Sequence, residues 1–242
     1  MVNAVESINS AQVDARPCGV ESCVPSPFAE ELYNINMAGT TSDSRNVTNG
    51  AVIIAPSLIS GSDIWNNLTC ENWWSFTGPR TITNANGSGT ITIDWTGETG
   101  HHSARPWNSD GYEDLFRAMF GTPDLADPDW DLSMSIRGLD KNASYDIYWY
   151  STWGENENPV TVSVTSGTCE SPVKTLYPEQ DNVVAGNNYA YLAEGVNYVI
   201  LADITPASSG GRGSSGFITI RSQGQLVSVA GFQVVKRPNA EN

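Results

Sequence analysis

Charge is scarce in this chain. Asp, Glu, Lys and Arg make up 16% of its 242 residues, and only 12 are basic against 27 acidic. The resulting net charge of −15 repels phosphate backbones and anionic lipid surfaces, so nucleic acid is excluded as a ready partner. Long apolar runs are also missing. The run Ala51-Val52-Ile53-Ile54-Ala55-Pro56 has strand length, far short of the roughly 20 residues of a spanning helix, so no membrane span is expected. The first residues, Met1-Val2-Asn3-Ala4-Val5-Glu6-Ser7, lack the basic start and apolar core of a leader. Histidine is limited to His101 and His102. No Gly-x-Ser-x-Gly elbow, His-Glu-x-x-His zinc motif or Gly-rich phosphate loop occurs.

Cysteine is sparse too: Cys18, Cys23, Cys70 and Cys169. Their irregular spacing fits no zinc knuckle, and no histidine is near them in sequence. An even count in a chain rich in Ser, Thr and Asn points to disulfides and an oxidising compartment. Of the three pairings, Cys18–Cys23 with Cys70–Cys169 is preferred, because the first closes a short loop containing Gly19, with Pro25 after it. Four reduced thiols are the alternative.

What the chain does have is aromatic mass and period-two alternation. Eight Trp, nine Tyr and six Phe offset a hydrophobic share of 39%, since each ring buries a large area. In residues 89–95, Ile91, Ile93 and Trp95 fall on one side and Thr90, Thr92 and Asp94 on the other. The turn at 84–89 makes residues 80–83 its hairpin partner. Further strands are expected at 51–54, 73–76, 132–136, 144–153, 159–164, 188–192, 196–204, 216–221 and 226–235. Tyr112, Leu115, Phe116, Met119 and Phe120 instead recur at helical spacing, with Ser109 or Asp110 as cap and Gly121 as stop. The expectation is an all-β, two-sheet antiparallel β-sandwich (jelly roll) over residues 31–242, with one short helical insertion near 109–121. Residues 1–30, turn-rich and poor in large apolar side chains, read as an N-terminal extension.

Several stretches carry a resemblance. They are Trp65-Asn66-Asn67-Leu68, Trp95-Thr96-Gly97, Gly138 through Tyr150, Glu194 through Ile200, Gly216 through Ile220 and Val229 through Val235. Together they resemble the jelly-roll modules of secreted and cell-surface bacterial proteins, of the galactose-binding-like and carbohydrate-binding-module type. The resemblance covers about residues 50–236 and rests on turn residues and inward strand positions. It implies export, although the sorting tail such proteins often carry does not appear.

The candidate site residues follow from chemistry. A sugar ring stacks its C–H face on an indole and offers hydroxyls to planar polar groups. Trp107 has Arg105, Asn108 and Asp110 nearby, and Trp153 has Glu155 and Asn156. Trp130 is flanked by Asp129 and Asp131. All three lie on expected loops, where exposed aromatics mark binding, whereas Trp95 and Trp149 sit at strand spacing and read as core. Asp124, Asp127, Asp129 and Asp131 form an acidic loop that could hold Ca2+, or simply be solvated. Four Asn-x-Ser/Thr sequons, at Asn46, Asn67, Asn86 and Asn142, are expected by chance in such a composition. The function expected is a non-catalytic extracellular module that binds a glycan or polysaccharide through loop tryptophans. One alternative is a surface-layer, filament or appendage subunit that self-associates through residues 1–30. Another is a polysaccharide-active hydrolase or lyase using His101 or His102.

Overall fold

The computed structural model describes residues 31–40, 46–51, 55, 62–70, 78–96, 100–103, 118–121, 130–151, 159–177, 194–208, 215–224 and 228–238. Its strands in chain order are β1 (Glu31–Thr40), β2 (Trp65–Cys70), β3 (Arg80–Thr83), β4 (Thr90–Thr96), β5 (Gly100–Ser103), β6 (Ala118–Gly121), β7 (Trp130–Leu139) and β8 (Tyr145–Tyr150). They continue as β9 (Val160–Ser166), β10 (Cys169–Glu170), β11 (Lys174–Leu176), β12 (Tyr198–Ile204), β13 (Ala207–Ser208), β14 (Gly216–Gly224), β15 (Ser228–Val229) and β16 (Gly231–Lys236). One sheet has the order β12-β8-β16-β1-β2, and a second runs β10-β9-β14-β7-β4-β3, with β11 also on β9 and β13 on β14. From β7 onward the main strands alternate between these two sheets, which is the jelly-roll sandwich. A third, three-stranded sheet has the order β15-β6-β5. Pairing is antiparallel except for β2, which joins β1 in parallel.

Alternation builds the core between the sheets. In β7, Leu132, Met134 and Ile136 are buried while Ser133 and Ser135 stay half-exposed. In β4, Ile91 and Ile93 are buried, and Trp95 packs against the same cluster. Trp149 is fully buried and stacks on Phe232 at 5.8 Å. Burying each such side chain stabilises the fold by about 1.5–3 kcal/mol.

At one end of the sandwich, Glu31 pairs with Lys236, so β1 begins beside the end of β16. There Arg237 meets Asp146 and Asp203, each at 3.4 Å, and its backbone N–H donates to the Ser144 carbonyl at 2.8 Å. Two buried phenols belong to this end. Burial raises the Tyr33 hydroxyl well above its usual range, helped by its hydrogen bond to Glu31. Burial raises Tyr145 likewise, although the Asp140 N–H donated to its oxygen at 3.0 Å pulls the other way.

Three expectations need correction. Residues 118–121 of the expected helix are strand β6, because His101 and Val229 both pair with Phe120 and take up its backbone groups. Residues 104–117 lie outside the described residues. The expected strand at 226–235 is two: β15 pairs with β6 and β16 with β8, and the chain changes partner at Ala230. Cys169 is an exposed free thiol on β10, so the Cys70–Cys169 bridge is not made. The physical reason is distance. Cys70 ends β2, which is bonded to β3 through Asn66, and in the eight-stranded sheet β4, β7, β14 and β9 stand between β3 and β10, several strand spacings of roughly 4.8 Å. A disulfide needs Cα atoms within about 7 Å. Cys18 and Cys23, and the expected strands at 73–76 and 188–192, fall outside the described residues. Ala51 is not in a strand, and 52–54 are likewise outside.

Candidate functional site

The candidate segments are bracketed by residues that meet at one end of the sandwich. β7 starts at Trp130, paired with Gly224 at the end of β14. Asp131 pairs with Gln223, which in turn pairs with Thr161 near the start of β9. Gly224 is required here: a Cβ would lie 2.9 Å from the Pro159 carbonyl oxygen, so no larger residue lets β14 end against the chain entering β9. β8 reaches the same end at Tyr150, which pairs with Gly231 and accepts the Ala230 N–H at 2.9 Å. β4 arrives through Thr96, opposite Ser133. The small β15-β6-β5 sheet lies here too, with β5 and β6 in contact with β1. The described residues on either side of 97–99, 104–117, 122–129, 152–158 and 225–227 therefore all lie at this one end.

Of the candidate residues, Trp130 and Asp131 are in β7 at this end. Arg105, Trp107, Asn108, Asp110, Asp124, Asp127, Asp129, Trp153, Glu155 and Asn156 lie outside the described residues. His101 and His102 occupy consecutive positions of β5, opposite Phe120 and Met119. Among the described residues, no three His, Cys, Asp or Glu side chains come together as a metal ion would need.

Two further surfaces were not visible in the sequence. The outer face of the five-stranded sheet is closed. Leu32, Trp65, Tyr148, Tyr150 and Val235 form a second apolar cluster there, under Val47 and Ala55. Side chains of the sheet hold the crossing segment by its backbone. Asn67 accepts the Val47 N–H at 2.8 Å and donates to the Val47 carbonyl at 3.1 Å. The Trp65 indole donates to the Ala51 carbonyl at 2.9 Å, and Gln233 accepts the Ala55 N–H at 3.4 Å. Gln233 also accepts the Tyr150 hydroxyl and donates to Asn34 at 2.6 Å. The amides of Asn67 and Gln233 and the Tyr150 hydroxyl thus gain partners in the buried layer, as burial demands.

The outer face of the eight-stranded sheet is hydroxyl-rich, and most of its described side chains are half-exposed, with Ser163 buried. Register sets its side chains in cross-strand rows. One row is Asp94, Ser135, Thr219 and Thr165, reaching Glu170. The next, toward the loop end, is Ser133, Arg221 and Ser163. On the other side, Arg137 lies over the Phe217 ring at 5.9 Å from its centroid, a cation–π contact. Ser135 and Thr219 approach to 3.4 Å, hydroxyl to hydroxyl.

No family model matches the chain, and no curated protein does. Among solved structures it is similar to a crystal structure of a non-crystalline cellulose specific carbohydrate-binding module, CBM28. That match has a TM-score of 0.31 and 12% sequence identity, and covers 61% of this chain and 88% of the other. An overlap of that size is partial.

Proposed function

We infer that the chain is a non-catalytic extracellular binding module whose ligand is a glycan, taken at the end where Trp130, Gly224 and Pro159 meet. One observation supports this reading above others. The described residues that flank the segments carrying Trp107, Trp153 and their polar neighbours, far apart in sequence, all lie at that end. Several loops on a rigid sandwich give a shared site that no single loop could build. Indoles supply the stacking face, and Arg105, Asn108, Asp110, Glu155 and Asn156 supply planar partners for hydroxyls.

Titration with soluble polysaccharides, each beside its own short oligosaccharide, tests the reading. Trp107→Ala and Trp153→Ala are expected to weaken oligosaccharide binding roughly tenfold or more, about 1.4 kcal/mol each, without moving the melting temperature. Undiminished binding in both variants would sink the reading.

A further inference from the structure

We propose that the core holds a binding site for a single water molecule beneath the loop end, between the indole N–H of Trp149 and the hydroxyl of Ser222. The inference is independent of the glycan reading and stands or falls without it. Three observations carry it.

The first is a pair of polar groups without partners. Trp149 and Ser222 are both fully buried, and neither the indole Nε1 nor the serine Oγ makes a hydrogen bond within the protein. Buried polar groups find a partner in the great majority of cases, in the protein or in ordered water. Leaving one unmade forfeits the hydration that the group had in the unfolded chain.

The second is position. Both side chains point between the two large sheets. Ile147 and Trp149 of β8 belong to the main core cluster, as do Ile218 and Ile220 of β14. Alternation puts Ser222 on the same face as those two isoleucines. The sheets also match strand for strand. At one margin β12 contacts β9. At the other, Asn66 of β2 bonds both backbone groups of Thr83 in β3, at 2.8 and 2.9 Å. Between these margins the orders β12-β8-β16-β1-β2 and β9-β14-β7-β4-β3 run side by side, which sets β8 over β14. Depth agrees with this. Trp149 immediately precedes Tyr150, and Ser222 stands just before Gln223 and Gly224, so both lie a short step inside the loop end.

The third is room of the right chemistry. Ser222 pairs with Leu132 on one side and Val162 on the other, and Ile220 is the inward position before it on β14. Serine has the smallest side chain in that company. A purely apolar gap stays dry, whereas one with a hydroxyl on one wall and an indole N–H on the other suits water. The indole can only donate, and a water oxygen accepts from it. The serine hydroxyl can take a proton from the same water or give one to it. That makes two of the two to four hydrogen bonds that a buried water usually has, and the spare lone pair of a strand carbonyl can supply another. Bridged in this way, the two sheets are pinned together under the loops.

Nuclear magnetic resonance on the isotope-labelled full chain tests the inference. The Trp149 indole proton is assigned by its loss in Trp149→Phe. Its cross-peaks to water are read in laboratory-frame and rotating-frame spectra, whose relative signs separate a bound water from proton exchange with solvent. The wild type is expected to show a bound water at this proton. Ser222→Ala is expected to lose it with the hydroxyl, and Ser222→Val to lose it by filling the gap as well. Thermal melts show which variants fold, and either one suffices. A wild type without the cross-peak overturns the inference, and so does a cross-peak that survives in either Ser222 variant. If the wild type shows no bound water and its indole resonance moves upfield in Ser222→Ala, Trp149 bonds Ser222 directly and the inference is overturned.

Discussion

The two large sheets treat their outer faces in opposite ways. On the five-stranded sheet, Asn34, Asn36, Tyr150 and Gln233 are buried under a crossing segment. On the eight-stranded sheet, Ser133, Ser135, Thr161 and Thr219 remain half-exposed. Antiparallel sheets commonly keep one face in water, and here only one of the two sheets does so. The difference lies in what covers each face: a crossing segment on one, and no described segment on the other. The closed face uses its polar groups to hold the crossing segment by its backbone, whereas on the other face hydroxyls bond to neighbouring strands, as Ser135 with Thr219 and Thr161 with the Gln223 carbonyl.

The largest effect that can break this comparison comes from Gln233. Gln233→Ala removes the hydrogen bonds that Gln233 makes with the Tyr150 hydroxyl, the Ala55 N–H and Asn34 in a buried site, at a cost of roughly 3 kcal/mol. Thr219→Ala on the hydroxyl-rich face is expected to change stability by no more than about 0.5 kcal/mol. Urea denaturation of both variants checks the contrast, and equal costs would mean the faces do not differ as described. A smaller effect is expected at Asn67, which holds Val47 by both backbone groups. Asn67→Ala is expected to cost about 2 kcal/mol, and Asn67→Asp about half of that, because it keeps the acceptor and loses the donor. Hydrogen exchange at Val47 and Ala51 should quicken in the same order.

The smallest effect at ordinary pH concerns neither outer face, and so calibrates both. The folded state raises the hydroxyl pKa of Tyr33 and Tyr145 above the unfolded value of 10.0. Below that value both states hold the proton and the stabilising contribution is complete. As pH climbs past it, the unfolded chain ionises first and stability declines toward the higher folded-state pKa. Stability measured from neutrality to strong alkali should therefore fall only beyond about pH 10. The fall should be shallower in Tyr33→Phe and Tyr145→Phe. An onset near neutrality would assign the alkaline loss to other groups.

Much of the sandwich was legible from side-chain period alone. Ile91 and Ile93 in β4, and the apolar run of β8 with Tyr148 and Trp149, announced their strands because each faces a core. β1 was harder. Asn34 and Asn36 between Tyr33, Ile35 and Met37 look like solvent positions, yet they are buried by a segment whose course alternation cannot reveal. β6 misled because Met119 and Phe120 satisfy helical spacing, while their backbone partners in β5 and β15 are remote in sequence. The candidate tryptophans could be named by residue type and loop context. That their segments share one end depends on which strands pair, such as Trp130 with Gly224, and composition carries no record of pairing.

The adjacency of Glu31 and Lys236 bears on how this molecule responds to force. β1 and β16 run antiparallel with their outer ends together. Tension applied between positions 31 and 236 would load their backbone bonds one after another, like a zip, instead of all together in shear. Such a geometry yields at low pull, with the Arg237 contacts to Asp146 and Asp203 as the first to give way. A chain anchored at one of these positions and dragged by a ligand on its loops would be loaded along a different path, one that does not begin at this seam.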